Sequence, residues 1–274
     1  MDRRQIPTGT RPPRRRPLPF PATVLTIEAL SDHMLRIAFG GEGLAPFSWP
    51  GPASHLKLFL PEAGRREVEL PPADAEGFMV IDPGTPRPTT RTFTPRSWDG
   101  ARLEIDFVLH GHGPASEWAG AARPGDRAAV SQPRSTCEVL PDSRWLLLAG
   151  DEAALPALAT LLEAIDPGPQ VQLLVEIQGP DHRVALPDHG APVRWLVRES
   201  DETPGDALLA AIAGWTSPAG PGQVFAACEA AAVRAIRAHL LGPREMPKQR
   251  VLTRGYWRLG EANHPDHDFG EDAA

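Results

Sequence analysis

Residues 145–157 read Trp-Leu-Leu-Leu-Ala-Gly-Asp-Glu-Ala-Ala-Leu-Pro-Ala, and this stretch decides the fold. The run from Trp145 to Ala149 is apolar throughout, with no in–out alternation. That pattern fits a strand buried on both faces, as in a parallel sheet covered by helices. A helical pattern follows over 153–165, and the unit then repeats. Strands are predicted over 171–177, 193–197, 224–228 and 251–254, with helices over 204–212 and 229–241. Alternating strands and helices predict a doubly wound α/β sheet, which binds ligands beyond the C-terminal ends of its strands.

Upstream of Pro141-Asp142 the style differs. Short β-like runs at 23–27, 34–39, 55–60, 77–81 and 102–109 are separated by Pro/Gly turns. In the last run Leu103, Ile105, Phe107 and Leu109 alternate with Arg102, Glu104, Asp106 and Val108. One helix is predicted over 114–122, and the whole reads as an antiparallel barrel. The expected architecture is therefore an α+β two-domain chain. It has a basic, proline-rich arm (1–20), a β-barrel (21–140), a doubly wound α/β domain (141–260) and an acidic tail (261–274). Blocks of like charge rarely pack, so both ends are expected to be solvated.

Composition narrows the function classes. The 274 residues include 32 Pro and 25 Gly, which argues for turns and short strands over a helical bundle. A net charge of −7 disfavours a generic nucleic-acid binder. No apolar run approaches the roughly 18–20 residues of a membrane span. Prolines at 12, 13, 17, 19 and 21 interrupt the region where a secretory signal would lie, so a cytoplasmic protein is expected. Cys137 and Cys228 stand far apart in apolar settings, implying two buried free thiols and no zinc site. Lys57 and Lys248 are the only lysines, against 26 arginines.

Four segments carry chemistry. In Arg91-Thr92-Phe93-Thr94, an arginine fork suits a pyrophosphate, Phe93 suits a flat ring, and the Thr94 hydroxyl suits the N5 edge of a flavin. In His110-Gly111-His112-Gly113-Pro114-Ala115-Ser116, a glycine loop runs into a helix with Pro at its first position, and free N–H groups there make an anion site. At Gly150-Asp151-Glu152 a buried strand meets a helix where a dinucleotide would sit. The G-x-G-x-x-G loop is absent, and Asp151 doubles as a helix cap. Finally, Arg254-Gly255-Tyr256-Trp257-Arg258 brings two aromatics and two arginines to the end of the sheet.

In this order and spacing the four segments resemble the siderophore-interacting protein family of FAD-dependent ferric-siderophore reductases, related to ferredoxin-reductase-type enzymes. The resemblance spans about residues 20–260. It implies an FAD-binding barrel followed by a nicotinamide-binding domain. Arg91, Thr92, Phe93 and Thr94, the loop His110, Gly111, Gly113, Pro114, Ala115 and Ser116, and Trp257 are then FAD contacts. Gly150, Asp151, Glu152, Leu155, Pro156 and Tyr256 then line the nicotinamide side. Two positions depart from the family pattern: Phe93 replaces a tyrosine, and Cys228 replaces a glycine.

The implied partner is an anionic ferric siderophore, docked by Lys57, Arg134 and Arg254 or Arg258, in a monomer that holds no resident metal. His264, Asp266, His267 and Asp268 give no convincing ligand set. NADPH or NADH is the implied donor. Glu176, at a strand end, would favour NADH by binding ribose hydroxyls, whereas His182 and Arg183 would greet a 2′-phosphate; the resemblance leans to NADPH. The alternatives are a flavin-dependent oxidoreductase of specialised metabolism on an organic substrate, or a non-catalytic flavin- or siderophore-binding protein.

Overall fold

The structure, a computed structural model, describes residues 15–82, 84–85, 87–264 and 268–270. Most of the basic arm, and Asp266 and His267 of the tail, lie outside the described residues.

The first sheet is antiparallel and has seven strands: β1 (Phe20–Ser31), β2 (Met34–Gly40), β3 (Leu56–Leu60), β4 (Thr89–Phe93), β5 (Pro95–Trp98), β6 (Leu103–Val108) and β7 (Arg127–Val130). Their order is β4-β3-β7-β1-β2-β6-β5. Strands β4 and β5 stand at opposite edges, yet only Thr94 separates them in the chain. Consecutive Cα atoms lie about 3.8 Å apart, so the two edges must meet and the sheet closes on itself as a barrel.

Leu103, Ile105 and Phe107 fill its interior with Ile37, Phe39, Leu56 and Leu58, as the alternation requires. Asp106, on the other face of β6, is also buried. It sits opposite Arg36, whose Nε and Nη2 donate to it at 2.7 and 2.9 Å. This bidentate, charge-assisted pair offsets the cost of taking the carboxylate from water. A single helix, α1 (Pro114–Ala121), packs against β2, β3 and β6.

The second sheet is parallel: β8 (Trp145–Gly150), β9 (Gln170–Ile177), β10 (Val193–Val197), β11 (Gly222–Glu229) and β12 (Val251–Trp257), in the order β10-β9-β8-β11-β12. Alternate residues of β8 enter different cores. Leu146 and Leu148 pack with α2 (Leu155–Ala164) on one face. Leu147 and Ala149 pack with α3 (Asp206–Gly214) and α4 (Ala230–Leu241) on the other. The strand order reverses between β8 and β11, so a crevice opens beyond Gly150 and Glu229. Cys228 points into the second of these cores, and burial raises its thiol pKa well above the ordinary value. Cys137 is likewise free and buried.

Several expectations need correction. Residues 77–81 form isolated bridges rather than a strand, pairing with the end of the arm: Met79 N–H donates to the Arg16 carbonyl at 2.8 Å, and Leu18 N–H to the Gly77 carbonyl at 2.9 Å. Residues 16–18 are thereby tied down. The described part of the acidic tail is also docked. Gly255 N–H donates to the Asp268 carbonyl at 2.9 Å, Arg234 donates to the Asp268 carboxylate at 2.7 Å, and Thr253 Oγ1 donates to the Phe269 carbonyl. The reason is that β12 is an edge strand whose backbone groups need partners, and the tail supplies them.

Gly150 owes its place to packing. A Cβ there would stand 2.5 Å from Ala154 Cβ and 2.7 Å from the Ala227 carbonyl oxygen. Gly150→Ala is expected to cost roughly 1–3 kcal/mol by overpacking, read as a lower urea midpoint at constant slope. An unchanged midpoint would mean that β8 and β11 have room to part.

Candidate functional site at the junction of the two sheets

On the barrel side, Arg91 lies on edge strand β4 opposite Leu58 and is half-buried. Its Nη1 donates to the Thr90 carbonyl at 2.8 Å, and among the described residues no carboxylate pairs with it. Desolvation alone pulls its pKa below the ordinary value. A half-buried cation with no acid beside it is set up for an external anion.

Phe93 lies on the same face two residues on. Its ring packs on Phe107 at 4.5 Å, and Phe107 packs on Trp118 of α1 at 5.9 Å, so an aromatic row links β4 to α1. Part of the Phe93 ring is thus spent on the barrel core. Thr92, on the opposite face, accepts from Lys57 Nζ at 2.7 Å.

The loop before α1 has the predicted anion-site character. Gly111 and Gly113 have φ of +77° and +80°, conformations that favour glycine. Helix α1 starts at Pro114 with no side-chain cap. Glu117 N–H returns to the Gly113 carbonyl at 3.0 Å, which leaves the Ala115 and Ser116 N–H groups of the first turn for a ligand. Ser116 Oγ accepts from His110 N–H at 3.1 Å and shapes the turn. Partial desolvation, and then the neighbouring His112, pull the His110 imidazole pKa below the ordinary value. An acid-free arginine and an uncapped helix start, joined by an aromatic row, fit a phosphate-bearing cofactor with a flat ring such as FAD.

At the barrel seam Thr94 is buried, and its hydroxyl lies beside the phenol of Tyr256 near the end of β12. Burial pushes the Tyr256 phenol up to about 12, partly offset by the neighbouring Thr94 hydroxyl. Arg254, on the same strand, stacks on Phe269 at 4.3 Å, and desolvation lowers its pKa. Arg134 pairs across the ladder with His55, two residues before Lys57, with His55 N–H donating to the Arg134 carbonyl at 3.0 Å. Arg258 is exposed and lies 3.7 Å from Glu261.

On the parallel-sheet side, Asp151 caps a short 3-10 turn at 152–154 by accepting from Ala153 N–H at 3.0 Å. Its other oxygen accepts from Trp257 Nε1 at 2.7 Å. Nothing local announces this second bond, because the partners are 106 residues apart. Trp257 is thereby turned toward β8. Glu152 accepts from Gln178 N–H at 2.7 Å and so ties down the loop after β9. Leu155 and Pro156 are buried in the α2 core and offer no ligand surface.

Glu176 is a correction. Its carboxylate is 1% exposed, accepts from Gly205 N–H at 2.7 Å and Leu208 N–H at 3.1 Å, and pairs with Arg198 at 3.1 Å. It fixes the start of α3 and has nothing left for a ribose.

The Asp151 carboxyl is raised to about 7, first by burial and then by the charge of Glu152. Its folded value thus lies above its ordinary value of 3.8. The stability it contributes is present below the ordinary value and lost as pH rises through the folded one. Urea unfolding at several pH values should therefore show the wild type losing stability relative to Asp151→Asn between about pH 4 and 8. A difference that stays flat with pH would place Asp151 in contact with water.

Comparison with known proteins matches this arrangement. Residues 23–137 match the model of the siderophore-interacting FAD-binding domain, and residues 143–260 match that of siderophore-interacting protein. An NADPH-dependent ferric-chelate reductase of Escherichia coli is 35% identical over 243 residues, covering 86% of this chain and 91% of the relative. A ferric vibriobactin reductase of Vibrio cholerae is 28% identical over 246 residues, covering 87% and 89%. The crystal structure of a siderophore utilization protein from T. fusca superposes with a TM-score of 0.80 at 30% identity, covering 93% of this chain and 98% of that one.

Proposed function

The chain belongs to the siderophore-interacting protein family, and from that premise we propose that it is an NADPH-dependent, FAD-containing reductase that releases iron from an anionic ferric siderophore. The observation that carries this reading is the pair of half-buried guanidiniums, Arg91 and Arg254, each desolvated and each without a carboxylate partner among the described residues. They lie on β4 and β12, one from each sheet.

Arg91 and the first turn of α1 are assigned to the cofactor's phosphates, and Phe93 to its ring. Bound FAD supplies the link between a two-electron nicotinamide donor and one-electron ferric iron. Lys57, Arg134 and Arg254 hold the anionic chelate by charge. Hard oxygen ligands hold Fe(II) less tightly than Fe(III), so reduction frees the metal. Asp151 and Trp257 shape the nicotinamide entrance. NADPH is the proposed donor because Glu176 is committed to α3 and Arg183, exposed after β9, is available for a 2′-phosphate.

The test is an anaerobic absorbance titration of the flavin-loaded protein. NADPH should bleach the flavin, and a ferric siderophore should restore its colour while Fe(II) accumulates. Bleaching without reoxidation by any ferric chelate would end the reductase reading.

Two variants probe the assignments. Arg91→Ala should weaken FAD binding by at least about tenfold, since a charge-assisted bond is lost, read by equilibrium dialysis; equal retention would remove Arg91 from the cofactor site. Lys57→Ala combined with Arg254→Ala should raise the Kd for a ferric catecholate by at least about tenfold, with partial recovery in Lys57→Arg. An unchanged Kd would move the dock elsewhere.

A further inference from the structure

We propose that Phe269, in the segment after the last strand, is a positioning residue for the chelate dock: its ring backs the guanidinium of Arg254 and holds the fork ready for an anionic oxygen of the incoming ferric chelate. The inference rests on the docking role given to Arg254 above. It assigns part of the site to a stretch whose sequence reads as a solvated tail.

The two faces of β12 explain the arrangement. Side chains alternate along a strand. Gly255 faces α4, since a Cβ there would stand 3.2 Å from Ala230 Cβ and 3.0 Å from Asp268 Cγ. Leu252 and Tyr256 pack on the core of the opposite face, and Arg254 lies between them in the strand. Residues 268–270 run along the edge of β12 and reach both sides. Asp268 is spent on the α4 side. Its carboxylate accepts from Arg234 at 2.7 Å and from Gly270 N–H at 2.9 Å, and lies 2.9 Å from His264 Nε2. Gly270 is buried with φ of +69°, and a Cβ there would stand 2.7 Å from Val233 Cγ1. These contacts, with the Gly255 N–H bond to the Asp268 carbonyl, seat the segment without help from the Phe269 side chain.

The Phe269 ring goes the other way. Its centre lies 4.3 Å from the Arg254 guanidinium carbon. The ring is 41% exposed, so burial of apolar surface does not account for its placement, and covering a strand edge needs only the backbone. A ring face engages a cation through its quadrupole and offers no oxygen acceptor, so the guanidinium is restrained while its five N–H donors stay available. Among the described residues the hydrogen bond from this fork is long, Nη1 donating to the Thr253 carbonyl at 3.5 Å, and no carboxylate pairs with it. Asp268, the neighbouring acid, is kept off Arg254 by its commitment to Arg234 and His264. An arginine presented in this way is held in direction and left open in hydrogen bonding, which suits the paired, charge-bearing oxygens of a chelate.

The test is steady-state reduction of the ferric complex of 2,3-dihydroxybenzoate by the flavin-loaded protein with NADPH. In Phe269→Ala the KM for the ferric complex should rise about threefold to tenfold, with kcat unchanged. Anaerobic bleaching of the flavin by NADPH, which involves neither residue, should match the wild type and show that the variant folds. Phe269→Tyr and Phe269→Trp keep the ring and should restore the wild-type KM, whereas Phe269→Leu keeps apolar bulk and should not. In an Arg254→Ala background Phe269→Ala should add nothing, because the two side chains act as a unit. An unchanged KM in Phe269→Ala, full rescue by Phe269→Leu, or an equal loss in the Arg254→Ala background overturns the inference and leaves the reductase reading standing. Wild-type flavin that NADPH bleaches and no ferric chelate reoxidises ends that reading, and the inference with it.

Discussion

The barrel closes through one residue, and that residue is polar. Strands β4 and β5 meet at Thr94, which the closure buries. Tyr256 on β12 of the other sheet comes up to this seam, its phenol beside the Thr94 hydroxyl. The seam thus sets Arg91 and Phe93, just before it, beside the strand that carries Arg254 and Trp257. Hydrogen bonds between the two halves hold this arrangement. Arg96, just past the seam, makes a bidentate pair with Glu163 of α2 at 2.7 and 2.9 Å, and Ala53 N–H donates to Thr160 Oγ1 at 3.0 Å.

Features that rest on local periodicity were legible in the sequence, and those that rest on distant partners were not. The alternation at 103–107 set the inner face of the barrel, and the unbroken run at 145–149 set the doubly covered parallel sheet. Both depend on neighbours along the same strand. Glu176 was misread because a strand-end acid looks the same whether it faces a ribose or a helix start. The donors that decide, Gly205 and Leu208, lie 29 and 32 residues onward. The tail was misread because its charges hid an edge-covering role, in which Asp268 meets Arg234 and the backbone of β12. The proposed flavin-side residues stand out in the sequence because a loop, a proline and a helix start are contiguous. Their aromatic link through Phe107 and Trp118 is tertiary and stayed hidden.

The two ends of the site differ in how they grip, and the difference follows from charge. The barrel side offers a desolvated guanidinium and uncapped helical N–H groups, both suited to a resident anion. The crevice side offers no glycine cradle, since Gly150 is filled by Ala154 and the Ala227 carbonyl, and Asp151 and Glu152 beside it are buried and committed to protein partners. Under the proposed function, this contrast suits a cofactor that stays on the barrel side and a donor that leaves the crevice after each cycle. The net charge of −7 would repel an anionic chelate from most of the surface, so the dock proposed for it is built on the basic side chains Lys57, Arg134 and Arg254.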